Sequence, residues 1–166
     1  MRGPQKYKGL LSQGICLMNK EEKRVSRCVC LQSLYALEMS NAKEEEIIKH
    51  FYINSDEIYK GLSSNQITYV KQILKLCKKH KNSIDELINT KLMNWDMSRL
   101  ALIDKLILRM AISEMLYVDE VPPKVSITEG VEIAKEFSTK DSSRFVNGIL
   151  DAVYNNVIKN NLKQTN

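Results

Sequence analysis

Seven of the 25 lysines and arginines fall within the first 30 residues, at Arg2, Lys6, Lys8, Lys20, Lys23, Arg24 and Arg27, against only two acids, Glu21 and Glu22. That end carries a net +5, while the remaining 18 basic and 18 acidic side chains cancel. Clustered cations can do one kind of chemistry unaided: they release counterions from a polyanion and hold its phosphates. For residues 1–17 the plain alternative is a solvated basic tail, and Met18 is a second candidate start. A further basic group, Lys71, Lys75, Lys78, Lys79 and Lys81, suits either the C-terminal end of a helix dipole or a secondary phosphate patch.

Other reactive residue types are arranged less purposefully. Cys16, Cys28, Cys30 and Cys77 lack metal-ligand spacing and read as reduced, mostly buried thiols. His50 and His80 stand alone. No nucleophile–base pattern and no glycine-rich loop after a strand is present, so neither catalysis nor a cofactor is expected. No apolar run approaches the roughly 18 residues that cross a bilayer. The N-terminal apolar stretch is too short and interrupted for a signal peptide. A cytoplasmic location with no membrane partner is the expectation.

These residues must be positioned by helices. The chain of 166 residues is 43% apolar and 27% charged, ordinary for a globular domain. Helical periodicity recurs throughout, and no segment alternates as a strand would. The first helix is expected over Glu21–Ser40, with a broad apolar arc that includes Val25, Cys28, Val29, Leu31, Leu34, Tyr35, Leu37 and Met39. A second is expected from about Lys43 to Ile53, with a further turn or short helix through Tyr59. A third spans Asn65–His80, and a short one follows a cap at Ser83. Asn94–Ser98 forms a junction in which Trp95 reads as a packing anchor. Ser98 is then expected to cap a long helix reaching Val118. The next helix, Lys124–Phe137, starts behind Pro122 and Pro123. Asp141 or Ser142 is expected to cap the last one, whose stripe is Phe145, Val146, Ile149, Leu150, Val153 and Val157. The sum is an all-α compact bundle of about seven helices in two merged helical subdomains. Residues 1–20 form a poorly ordered basic extension and residues 21–160 the helical domain.

Two blocks carry a resemblance. Lys23-Arg24-Val25-Ser26-Arg27, followed by Leu31-Gln32-Ser33-Leu34-Tyr35, resembles the basic stretch and Ala-x-Gln-Ala-Leu-Tyr helix of the NusB family of transcription antitermination factors. Residues 104–109 are similar to that family's helix carrying Leu-Arg. Residues 121–127, 129–135 and 144–151 follow in the family's order and separation, so that 21–158 align without a major gap. Ser113, Gly130 and Ser138 depart from the common pattern, which has an aromatic, an alanine and a glycine there. Val25 and Ser26 interrupt the basic stretch.

The resemblance implies a non-catalytic adapter that binds boxA-type single-stranded RNA together with NusE, a small-subunit ribosomal protein. It also implies an indirect link to the RNA polymerase elongation complex and support of ribosomal RNA transcription. The implied RNA surface has two parts, Lys23, Arg24 and Arg27 near the start and Lys140, Asp141, Arg144 and Phe145 at the start of the last helix. Both parts are expected to meet in one groove. Lys and Arg would hold phosphates, while Asp141 or Asn147 could read a base edge. The bland readings are surface charge for the arginines, core packing for Phe145, and a cap or packing-related polar group for Asp141 or Asn147. Tyr35 and Asp104 match family positions at the NusE interface; otherwise Tyr35 closes the core and Asp104 decorates a helix. A protein-interaction module with weak or lost RNA binding is the alternative function. The family also resembles the N-terminal domain of some ribosomal RNA cytosine methyltransferases, but that reading needs a following cofactor domain. Exposed amphipathic faces leave a homodimer open.

Overall fold

A computed structural model describes residues 12–40, 46, 61–93 and 96–159. The expected helix at 43–53, the turn through Tyr59, His50, Trp95 and the basic residues Arg2, Lys6 and Lys8 lie outside that set. The described residues form seven α-helices and no strand: α1 (Ser12–Leu17), α2 (Lys20–Met39), α3 (Ser64–Lys79), α4 (Lys81–Asn89), α5 (Leu102–Tyr117), α6 (Pro123–Phe137) and α7 (Lys140–Val153). A 3-10 turn at Met97–Arg99 precedes α5, and a π-helical stretch at Tyr154–Lys159 continues α7. No helix among them is long and apolar enough to cross a membrane.

The core is organised around α5, which touches α2, α3, α4, α6 and α7. Every residue from Leu106 to Tyr117 is buried. A helix enclosed on all sides must be apolar all round, and the run Leu106-Ile107-Leu108, Met110-Ala111-Ile112 and Met115-Leu116 supplies that. The polar residues within it, Arg109, Ser113 and Glu114, therefore need partners inside the protein. Arg109 finds them in Asp85, through two bonds of 2.7 Å, and in Glu38 at 2.9 Å. The pair is bidentate toward Asp85, and it fastens α5 to α4 and α2.

Side-chain caps open α2, α3 and α7, whereas α4 and α5 begin at Lys81 and Leu102 with no side-chain cap, away from the expected Ser83 and Ser98. Asn19 opens α2 with a capping box: its Oδ1 accepts from the Glu22 amide at 2.9 Å, and its own amide donates to Glu22 Oε2 at 2.8 Å. Ser63 and Gln66 repeat the device at α3. Thr139 caps α7, accepting from the Ser142 amide at 3.1 Å, in place of Asp141 or Ser142. Ser83 lies inside α4, where its hydroxyl donates to the His80 carbonyl. Ser98 belongs to the 3-10 turn capped by Asp96, and α5 begins only at Leu102.

Part of the expected extension is described: Ser12–Leu17 form α1. In α1, which packs against α3, Ile15 is buried, and Met18 just after it is buried too. Ile15 and Met18 thus belong to the core, while Cys16 and Leu17 are exposed. Gly130 answers to close packing as well. A Cβ there would sit 3.1 Å from Leu150 Cδ1 and 3.2 Å from Ala111 Cβ, so its absence lets α6 settle against α5 and α7. That proximity offsets the roughly 0.5–1 kcal/mol that a mid-helix glycine costs relative to alanine. Ser138 ends α6 in extended backbone without needing the left-handed conformation.

Candidate nucleic-acid interface

The capping box fixes the first turn of α2 and thereby presents Lys20 and Lys23 at one end of the protein. Two grooves flank that turn. One, of about 450 Å³, is lined by Lys20, Lys23 and Lys124 and by Val121, Pro122 and Val125, with Arg27, Thr128 and the carboxylates Glu120 and Glu129 also in its wall. Lys124 is brought there by the start of α6, where Pro123 sits in the first helical turn and ends the α5–α6 connection. Three cations around an apolar floor match a phosphate flanked by an unstacked base.

The other groove, about 550 Å³, follows the seam between α2 and α6 and is lined by Lys20, Arg24, Cys28, Gln32, Glu136 and Phe137, among others. Helices α2 and α6 run side by side in the same direction: Lys20 and Lys23 lie beside Pro122, Arg24 bonds Glu129, and Gln32 shares a groove with Phe137. The first turn of α7 follows directly after Phe137. Along α6, Lys20 and Lys23, level with Pro122, thus lie about 22 Å from Phe137, and Arg24, level with Glu129, about 12 Å from it. Arg24 and Phe137 line the same groove, and α7 begins three residues after Phe137.

Arg27 corrects the sequence reading most sharply. Its side chain is only 4% exposed, and its Nε and Nη2 bond both oxygens of Glu114 at 2.9 and 3.2 Å. Nη1 reaches Glu129 at 3.5 Å, and the guanidinium lies 5.9 Å from the centre of the Tyr69 ring. Glu114 also accepts from the Tyr69 hydroxyl and from Ser126 Oγ, the latter at 2.6 Å. A guanidinium so enclosed cannot hold a phosphate without abandoning two buried carboxylates. Arg27 locks α2 to α5 and α6 and leaves the set of contact residues.

Arg24 occupies an intermediate position. Its Nε bonds Glu129 Oε2, its Nη2 donates to Oε1 at 3.0 Å, and 26% of the side chain stays exposed. Burial pushes the Glu129 carboxyl upward, but the Arg24 hydrogen bond and the charges of Arg27 and Arg24 outweigh it and leave the carboxyl below its ordinary value. The same bond holds the Arg24 guanidinium above its usual range. A carboxyl depressed in the folded state stabilises the fold at pH above its unfolded value of about 4.5 and loses that contribution as pH falls through the folded value. We expect the stability difference between the wild-type protein and Glu129→Gln to shrink when chemical denaturation is repeated from pH 7 down to pH ~3. A difference independent of pH would show that the charge of Glu129 is not what stabilises.

At the far end of the seam, Lys140, Asp141 and Arg144 are exposed, and Phe145 is half-buried against the core. Arg144 and Asp141 form a loose pair at 3.6 Å. Asn147 donates to Asp151 at 3.1 Å. The exposed cations and the free amides of the first turn of α7 suit an anion. Among the described residues, no cluster of His, Cys, Asp and Glu could hold a metal ion. Cys30 and Cys77 are buried, Cys28 is half-buried and Cys16 is exposed; burial pushes the Cys77 thiol up to about 12.

Tyr35 and Asp104 lie elsewhere. Helices α2 and α5 run in opposite directions, with Arg27 meeting Glu114 and Glu38 meeting Arg109. Asp104 therefore falls beyond Glu38, toward the C-terminal end of α2. Tyr35 is 43% exposed, whereas Asp104 is only 6% exposed. Its Oδ1 has no hydrogen-bond partner among the described residues.

Lys20 and Lys124 were not singled out by sequence. In the sequence Lys20 enters only through the net charge, and Lys124 as a helix start and a member of the block at 121–127. Helix-start spacing gives a signal for the first, since it lies one turn from Lys23; only the tertiary approach of α6 reveals the second.

Comparison with known proteins agrees with the architecture. A profile of the NusB family matches residues 24–155. The transcription antitermination protein NusB of Chloroherpeton thalassium is 42% identical over 135 residues, covering 81% of this chain and 62% of that protein. The chain thus spans less than two thirds of that relative's length. The structure of T. maritima NusB superposes with a TM-score of 0.73 at 26% identity, covering 85% of this chain and 96% of that one. NusB in a complex of antitermination factors NusB and NusE with dsRNA superposes with a TM-score of 0.71 at 20% identity, covering 82% and 98%. At that identity the likeness is one of fold.

Proposed function

Since this chain belongs to the NusB family, we propose that it is a non-catalytic, RNA-binding transcription antitermination factor. In this reading it works in the cytoplasm, binds boxA-type single-stranded RNA together with NusE, and supports ribosomal RNA transcription at the elongating polymerase. The observation that carries the RNA reading is the groove that Lys20, Lys23 and Lys124 line together with Val121, Pro122 and Val125, their three cations facing the two carboxylates Glu120 and Glu129. The exposed Lys20 and Lys124 and the half-buried Lys23 supply phosphate contacts, and the apolar side chains accept a base face. The strand then follows the α2–α6 seam past Arg24 to Lys140, Asp141, Arg144 and Phe145. Arg24 joins the contact by its exposed portion while Glu129 keeps hold of it. Tyr35 and Asp104 provide the NusE surface at the other end of α2. This arrangement leaves RNA and protein partner separate approaches.

The test is titration of a short boxA-type RNA, with and without NusE, across a range of salt concentrations. Lys23→Ala combined with Lys124→Ala is expected to flatten the dependence of log affinity on log salt by about 1.4, at about 0.7 per lost contact with a single strand. An unchanged slope would remove this groove from the RNA path. The inward turn of Arg27 and the Glu129 hold on Arg24 favour a second reading, a protein-interaction module with weak RNA binding. NusE binding without any gain in RNA affinity would select it.

A further inference from the structure

Helix α3 carries a second cationic surface. Between Ser64 and Ile84 the chain contains five lysines and no acid. Lys78 and Lys79 close the last turn of α3, where the helix dipole favours them. Lys71 and Lys75 sit in the middle of the helix, where the dipole gives no such support. Both are exposed, and neither forms an ion pair with a described residue. Being four residues apart they face the same way, about 6 Å apart along the axis. Like charges at this spacing repel and weaken a helix. The fold gains nothing from that repulsion; a polyanion would relieve it.

The row is also well placed. Gln66 Nε2 donates to the Glu22 carbonyl at 3.1 Å, tying the first turn of α3 to the first turn of α2. Arg27 lies over Tyr69, so the two helices run in the same direction. Lys71 therefore begins a cationic row only about two turns from the end of the protein that presents Lys20 and Lys23.

We propose that Lys71 and Lys75 form an auxiliary phosphate track, holding the backbone of RNA that extends beyond the Lys20–Lys23–Lys124 groove. The proposal rests on the RNA reading above. It assigns the outer face of α3 to nucleic-acid phosphates without base readout, since two mid-helix ammonium groups offer point charges and no base-edge pattern.

The experiment compares two RNAs by fluorescence anisotropy, a short boxA-type oligonucleotide and one lengthened by several nucleotides at each end. Wild type and Lys71→Gln/Lys75→Gln are titrated over a salt series, with circular dichroism confirming an unchanged melting curve. The expected result is a several-fold loss on the long RNA only, with a salt slope shallower by about 1.4. Equal losses on both RNAs would overturn the track in favour of a diffuse field effect, and no loss on either would overturn it outright. Reduced NusE affinity with RNA binding intact would reassign the face to a protein. If wild type bound neither RNA, the RNA reading itself would fail and take the track with it.

Discussion

Arg27→Ala is expected to lower folding stability by about 3–5 kcal/mol, the usual consequence of leaving a buried carboxylate without its partner. One carboxylate is orphaned here, because Glu114 takes both a 2.9 Å and a 3.2 Å bond from Arg27, while Glu129, 3.5 Å away, loses only its second cation. Glu129 retains Arg24; Glu114 keeps only the hydroxyls of Tyr69 and Ser126. Urea denaturation followed by circular dichroism measures the loss. RNA affinity, corrected for the folded fraction, is expected to change little. A folded variant with intact stability but abolished RNA binding would restore Arg27 to the contact surface.

Tyr35→Ala is expected to weaken NusE binding by about 2 kcal/mol or more, the scale of an interface hot spot, without lowering the melting temperature appreciably. That corresponds to roughly a 30-fold rise in Kd. The expectation comes from a large aromatic left 43% exposed near the end of α2 remote from the cationic groove. Such a side chain offers apolar area and a hydroxyl at small entropic cost. Isothermal titration with purified NusE checks it, and a change below about twofold would dismiss Tyr35 as an anchor. RNA titration of the same variant serves as the control, since the groove at Lys20 and Lys23 is untouched.

Six of the seven described helices were legible because their apolar stripes are long and the breaks between them carry proline or small polar residues; α1, only six residues long, lies in the stretch read as a tail. Helix starts were less so. Asn19-x-x-Glu22 and Ser63-x-x-Gln66 are capping-box patterns in plain view. Thr139, Asp141 and Ser142 were all chemically able to cap α7, and only backbone geometry picks the first. The largest discrepancy concerns charge. A count of basic residues treats Lys23, Arg24 and Arg27 alike, yet burial separates them. The signal for Arg27 was present in its register with Cys30, Leu31 and Leu34, which places it on the inward stripe. Its carboxylate partners were beyond reach of the sequence, because Glu114 and Glu129 come from helices some 90 to 100 residues away. The seam between α2 and α6 was hidden for the same reason.

The buried ion cluster also bears on how such a protein can diverge. Arg24, Arg27, Glu114 and Glu129 compensate one another, so a lone replacement of Arg27 or Glu114 strands a buried charge, whereas apolar side chains of matching volume at all four would not. Descendant lineages are therefore expected to retain the four or exchange them wholesale, while Lys23 and Lys124 drift one at a time.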